Sequence, residues 1–188
     1  NSHYSDDGGL LYIDSFETST SEDDKIHVAV SGNDLLGDGS VNNPYATLSK
    51  AFQDVNPGKT IFVHEGTYTI ETQIVLQKSG TTENPIIIVG ENAIFEGLNL
   101  PNSKYGDIIR VENYDNLVFD NLHFKNGGRA GLSLINADNV KVTNSVFENN
   151  GKWGLFTAYA ENVYIENNVA FGSQIEHGIY VSNSADNP

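Results

Sequence analysis

Asn116-Leu-Val-Phe-Asp-Asn121-Leu-His-Phe124 returns as Asn139-Val-Lys-Val-Thr-Asn144-Ser-Val-Phe147, and again as Asn162-Val-Tyr-Ile-Glu-Asn167-Asn-Val-Ala-Phe171. The step from Asn116 to Asn139 to Asn162 is 23 residues each time. Each copy is followed by a segment that opens on glycine: Gly131-Leu-Ser-Leu-Ile, Gly154-Leu-Phe-Thr-Ala and Gly178-Ile-Tyr-Val-Ser. A fixed period of this length is the mark of a solenoid. The repeat holds short runs of Val, Ile, Leu and Phe separated by Asn, Gly and Asp, with no helical periodicity inside it. The leucine-rich frame is absent, as is any amphipathic stretch long enough for a helical repeat. The expected fold is all-β: a right-handed parallel β-helix in which each coil lays its strands on the next, about 4.8 Å away.

Asn121, Asn144 and Asn167 fall at one place in successive coils, after a strand. Stacked amides are expected to hydrogen-bond along such a column as they do in cross-β stacks, although Asn is also a turn former in its own right. Phe124, Phe147 and Phe171 are expected to stack inside. Earlier coils are less regular. Thr60–His64, Ile74–Leu76, Pro85–Val89, Ala93–Phe95 and Ile108–Val111 read as strands bounded by Gly, Asn or Pro. Counting them gives roughly six coils and a rod about 30 Å long.

Composition narrows the partners. With 188 residues the chain reads as one β-helix domain over 26–188, preceded by an acidic leader over 1–25. The leader carries one apolar patch, Leu10–Ile13, suited to pairing with a sheet edge. A net charge of −15 repels phosphate backbones, so nucleic acid is not an expected partner. No apolar run is long enough to span a membrane. There is no Cys to mark a redox compartment. An opening Asn1 in place of Met is expected of a processed or excised chain. At the other end, Ala185-Asp-Asn187 repeats Ala137-Asp-Asn139 and Ala160-Glu-Asn162, but no strand follows. The expectation is an N-terminal portion of a longer protein, or an open coil covered by an end-to-end or dimer contact.

Residues 26–97 carry a further pattern. Ile26-His-Val-Ala-Val-Ser-Gly-Asn-Asp34 leads to Gly37-Asp-Gly-Ser40, Asn43-Pro-Tyr-Ala-Thr-Leu-Ser-Lys-Ala-Phe52, Val55-Asn-Pro-Gly-Lys-Thr-Ile-Phe-Val63 and Glu65-Gly-Thr-Tyr68. This resembles the opening of secreted β-helix proteins of the pectate-lyase-like superfamily, and among enzymes it is most similar to polysaccharide lyase family nine. The resemblance covers about 160 residues. It implies a short N-terminal capping helix near Thr47–Val55. Leu48, Ala51, Phe52 and Val55 have the helical i, i+3, i+4, i+7 spacing for it, and Pro57-Gly58 ends it.

The same resemblance implies an extracellular protein, secreted or at a cell surface, that cleaves an acidic polysaccharide by β-elimination. A base removes the proton beside the uronate carboxylate, and a cation, often Ca²⁺, neutralises that carboxylate. In family nine the base is a Lys and the metal sits in an Asp cluster. No such cluster stands out here: the acids over 107–186 do not recur in twos or threes at one repeat position near a base.

The loops before the Gly-initiated strands hold the remaining candidates. Stacking is expected to bring Arg129, Lys152 and His177 together, with Trp153, Glu176 and Tyr180 beside them. Lys152 and His177 are the candidate catalytic groups. Arg129, Trp153, Glu176 and Tyr180 are candidate substrate contacts, since cations suit an anionic sugar chain and an aromatic face suits a sugar ring. Turn residues that meet only water, and a Trp that covers the solenoid edge, are the alternative. Asp34 and Asp38, in an oxygen-rich loop, are the candidate Ca²⁺ ligands. An Asx and Gly turn accounts for that loop equally well. Three readings stay open: part of a polysaccharide lyase, a non-catalytic glycan-binding or structural solenoid, and an assembly module that stacks through its open end.

Overall fold

A computed structural model describes residues 21–182; the Leu10–Ile13 patch and the Ala185–Asn187 motif lie outside the described residues. From about residue 86 onward the sequence supplies short apolar runs, most of them closed by an Asn. Twelve of the thirteen described non-glycine residues with positive φ are Asn. Asn tolerates the left-handed region because its short polar side chain satisfies nearby backbone. The chain therefore turns a corner at each of these Asn residues.

A 3₁₀ turn at Glu22–Asp24 leads into β1 (Lys25–Val28), then α1 (Leu48–Asp54), β2 (Thr60–Val63), β3 (Gly66–Ile70), β4 (Ile74–Leu76) and β5 (Ile86–Gly97). There follow β6 (Ile109–Glu112), β7 (Leu117–Lys125), β8 (Ala130–Ile135), β9 (Val140–Thr143) and β10 (Val146–Glu148). The last are β11 (Trp153–Ala158), β12 (Tyr164–Glu166), β13 (Val169–Phe171) and β14 (Ile179–Val181). One sheet runs β1-β2-β5-β7-β10-β13, with β3, β9 and β12 attached; the second runs β4-β6-β8-β11-β14. The pairings are parallel, each strand lying on its equivalent in the neighbouring coil. The fold is a right-handed parallel β-helix with one capping helix, the hand that parallel crossovers almost always take.

Two expected strands, 85–89 and 93–95, form the single element β5. It bends at Asn92 (φ 51°), where the register to β7 shifts. Inside, Tyr68, Phe95, Phe124 and Phe147 stack at centroid separations of 5.4, 5.8 and 5.2 Å. Phe171 does not join them. Its copy of the repeat has one more residue after the corner, so Ala170 pairs with Phe147 while Phe171 pairs with Glu148 and is 48% exposed. Across the core, a Cβ on Gly154 would fall 2.6 Å from Phe147 Cβ and 2.5 Å from the Gly178 carbonyl oxygen. Glycine there lets the two sheets close around the ring.

The Asn121, Asn144 and Asn167 column serves as a corner, with φ of 53°, 52° and 55°. Its amides bond elsewhere: Asn121 Nδ2 donates to the Gly90 carbonyl (2.7 Å) and Asn144 Nδ2 to Asp120 (2.7 Å). Amide-to-amide bonds occur in other turns, Asn136 to Asn113 (2.7 Å) and Asn162 to Asn139 (3.2 Å).

α1 covers the N-terminal end of the core with Leu48, Ala51 and Phe52, and Val55 is buried just after it. Thr47 Oγ1 accepts from the Lys50 amide at 3.1 Å, capping its start. Lys78 Nζ donates to the Gln53 and Val55 carbonyls at 2.7 Å each, closing its end.

Candidate functional site

The second sheet points its alternate residues outward. Register aligns Val75 with Arg110, Arg110 with Ser133, Ser133 with Phe156 and Phe156 with Tyr180. Beside this column run the loops that enter each strand. They stack through backbone bonds: Gly151 N donates to Gly127 O (2.8 Å) and Lys152 N to Arg129 O (2.7 Å). Buried Asn150 fixes them further, accepting from Gly127 N at 2.8 Å and donating to the Phe124 carbonyl at 3.2 Å. Side chains one repeat apart are thus held side by side.

Arg129, Lys152, Trp153, Glu176, His177 and Tyr180 do come together. The Arg129 guanidinium lies 5.4 Å from the Trp153 ring centroid and 5.5 Å from that of Phe156. Trp153 and Phe156 stack at 4.3 Å, and Tyr180 lies parallel to both at 5.9 Å. His177 tilts against Tyr180 at 5.5 Å. Glu176 joins two members, accepting from Trp153 Nε1 and pairing with Lys152 Nζ, both at 2.9 Å. The bond from Lys152 holds the Glu176 carboxyl below the usual range.

Three groups in this cluster do not stand out from the sequence. Asp107 is fully buried and takes both prongs of Arg129, at 2.6 Å each. Arg110 approaches the same carboxylate at 3.4 Å and binds Glu112 at 3.1 Å. Phe156 is the third. Asp107 enters β6 as Arg129 enters β8, 22 residues later, so opposite charges at one loop position were the available signal.

The arrangement changes what some candidates offer. Trp153 is only 6% exposed, and its ring is occupied by Arg129, Lys152 and Phe156, so little of its face is open to a sugar. Lys152 Nζ is held by Glu176, whereas His177 is exposed beside Tyr180.

Asp34 and Asp38 are engaged in local structure. Asp34 accepts from the Ala46 and Thr47 amides and from Thr47 Oγ1, at 2.7, 3.0 and 2.7 Å, tying its loop to the start of α1. Asp38 accepts from the Ser40 amide at 2.9 Å in an Asx turn, and the bonds from Ser40 keep its carboxyl below the usual range. Among the described residues no group of three or more His, Cys, Asp or Glu side chains is placed to hold a metal. With their oxygens taken up by these bonds, Asp34 and Asp38 do not fit Ca²⁺.

Acids do recur at one repeat position, away from the cluster above: Asp115, Asp138 and Glu161. Asp115 Oδ1 accepts from Asp138 N and Asp138 Oδ1 from Glu161 N, each at 2.8 Å, so the first two pin the turn of the following coil. A cleft of about 390 Å³ lies between the start of α1 and β3, lined in part by Leu48, Tyr68, Ile70 and Phe95. It contains none of the clustered cations.

Residues 26–185 match the family described as Pel9A-like, right-handed β-helix region. Over 93 residues the chain is 30% identical to pectate lyase PEL9 of Emericella nidulans, a match covering 48% of this chain and 22% of that protein. The crystal structure of pectate lyase Pel9A superposes with a TM-score of 0.69 at 26% identity, over 82% of this chain and 43% of that one. A rhamnogalacturonan lyase shares the fold, with a TM-score of 0.57 at 13% identity. The chain thus spans less than half the length of the solved Pel9A and about a fifth of the curated relative. Its β-helix is of the polysaccharide-lyase type, and the chain belongs to the Pel9A-like right-handed β-helix family.

Proposed function

We propose that this chain is part of an extracellular polysaccharide lyase whose substrate is an acidic, uronate-containing polysaccharide. One observation carries the reading: Arg129, Lys152, His177 and Tyr180 line a single outward face across three consecutive coils, on a fold shared with proteins named as pectate lyases. Coils repeat about every 4.8 Å, close to the length of one sugar unit, so a glycan laid along the axis meets a new loop at each residue. Arg129 and Lys152 lie on the path of the uronate carboxylates. His177 takes the proton next to a carboxylate. The electrons of that C–H bond form the C=C bond as the glycosidic C–O bond breaks, and the leaving oxygen is protonated from water. No step is assigned to Ca²⁺.

The pairing of each cation in the cluster with a carboxylate favours a second reading, a solenoid that holds glycan without cleaving it. An elimination assay separates the two. The chain is incubated with pectate, alginate or a glycosaminoglycan, with Ca²⁺ or with EDTA, and unsaturated uronate is followed by its ultraviolet absorbance. Product supports the lyase reading, and its loss in EDTA brings in a metal. Retarded migration in a polysaccharide-containing gel with no product on any substrate supports the binding reading.

A further inference from the structure

At the N-terminal end, away from the candidate site, two histidines face each other edge-on. His27 on β1 lies beside Phe62 of β2, and His64 follows β2. His27 Nδ1 and His64 Nε2 are 2.9 Å apart, with ring centroids at 5.1 Å and planes 25° apart. Those figures add up to two nearly coplanar rings whose nitrogens point at one another, which is the geometry of an N–H···N hydrogen bond. Each outer nitrogen faces a carboxylate. His27 Nε2 is 2.6 Å from Glu22 Oε1, in an approach poorly directed for a hydrogen bond, and His64 Nδ1 is 3.8 Å from Glu91 Oε2. Lys25 completes the surroundings: it pairs with Glu22 at 3.0 Å and sits 5.7 Å from the Phe62 ring centroid. The charged groups around the pair thus come from the 3₁₀ turn (Glu22), β1 (Lys25) and the bend of β5 (Glu91).

We propose that His27 and His64 form a proton-operated latch on the first coil, closed while their shared hydrogen bond has one bare nitrogen and released when both rings are protonated. The bond needs one nitrogen with a proton and one with a lone pair. With both rings neutral, the short approach of Glu22 selects a proton on His27 Nε2, so His64 Nε2 donates to His27 Nδ1. One further proton fits on His64 Nδ1, facing Glu91. A second can go only to His27 Nδ1. It removes the acceptor and sets two cations against each other.

The His27 side chain is 5% exposed, and burial holds its imidazole below the usual histidine range. The sign follows. A released His27 binds its proton near pH 6.5, while the closed form resists it. Stability from the latch is complete above that pH and is lost as pH falls towards the closed form's lower value. The opening equilibrium then grows by up to tenfold per pH unit for the one proton taken up.

β1 is the element released. It ends the six-strand path and pairs with β2 alone among the strands. His27 also anchors the loop outside it, through His27 N to Gly39 O (2.7 Å) and Tyr45 N to His27 O (3.0 Å).

Amide hydrogen exchange on the full chain between pH 7.5 and 5.0, corrected for intrinsic rates, tests this. Protection at residues 25–28 and 60–63 is expected to fall at least tenfold more than protection in β8 and β11, and His27→Phe is expected to flatten that response. An equal change everywhere, or an unaltered response in His27→Phe, overturns the proposal. Should His27→Phe not fold, imidazole ¹⁵N titration of the unaltered chain decides. Coupled titration with the His27 step below pH 6.5 supports the latch, and two independent steps at ordinary values overturn it.

Discussion

Asp107 has no exposed surface and faces two guanidinium groups, so it is the residue on which the charge cluster turns. Removing one partner of a buried pair leaves the other charge uncompensated, at a cost of about 3–5 kcal/mol. Asp107→Ala is expected to lower stability by about that amount in urea unfolding, and to free Arg129 from its place over Trp153, read as a change in Trp fluorescence. Gly154→Ala is expected to cost about 1–3 kcal/mol by overpacking, because its Cβ meets a backbone oxygen and Phe147 Cβ, neither at the end of a flexible chain. The clustering of Arg129, Lys152, Trp153, Glu176, His177 and Tyr180 was legible in the sequence, since a near-constant step puts them in equivalent loops. Asp107 and Arg110 were not, because Ile108 stands where the later strands open on Gly131 and Gly154, so their strand does not announce itself as a copy of the repeat. That Trp153 spends its ring on neighbours was also hidden: it depends on χ angles, which spacing does not report.

Elements follow the same division. α1 could be read from four apolar positions, and its end from Pro57-Gly58, because helical burial has a period of its own. The tie holding its first turn was less visible: Asp34 lies 13 residues before Thr47, and its oxygen-rich loop suits backbone amides as well as it suits calcium. The two roles separate experimentally. With its carboxylate committed to three donors that are half-buried or exposed and can turn to water, Asp34→Ala is expected to cost about 0.5–1.5 kcal/mol, the net worth of an ordinary hydrogen bond. Millimolar Ca²⁺ or EDTA is expected to leave the melting temperature of the unaltered chain unchanged. A calcium-dependent rise that Asp34→Ala abolishes overturns this assignment. Phe171 shows the limit of reading by repeat: one additional residue after a corner reverses inside and outside, since side chains alternate along a strand.

Across the whole molecule parallel stacking was legible from the period of the later copies, and the coil count from the apolar runs bounded by Gly, Asn or Pro before them, whereas burial at the first coils depends on contacts 30 to 40 residues apart. Tyr68 is one case: its hydroxyl donates to the His64 carbonyl at 2.9 Å and to that of Val28 at 3.1 Å. Burial pushes its pKa up to about 12. Tyr45 is also pushed up to about 12, chiefly by its 2.5 Å bond to Asp54. Both lie at the capped end and both act in one direction. In the unfolded chain a tyrosine loses its proton near pH 10; in the folded chain these two keep theirs. Their contribution is therefore whole below pH 10 and is lost as pH rises towards 12. Ionisation also adds negative charge to a chain already at −15, which raises the self-repulsion of the compact state. The urea midpoint is expected to hold steady from neutral pH to about 10 and to fall steeply from there to about 12. Tyr45→Phe with Tyr68→Phe is expected to make that fall shallower. An equally steep fall in the double variant assigns the alkaline loss to the chain's overall charge instead of to these two hydroxyls.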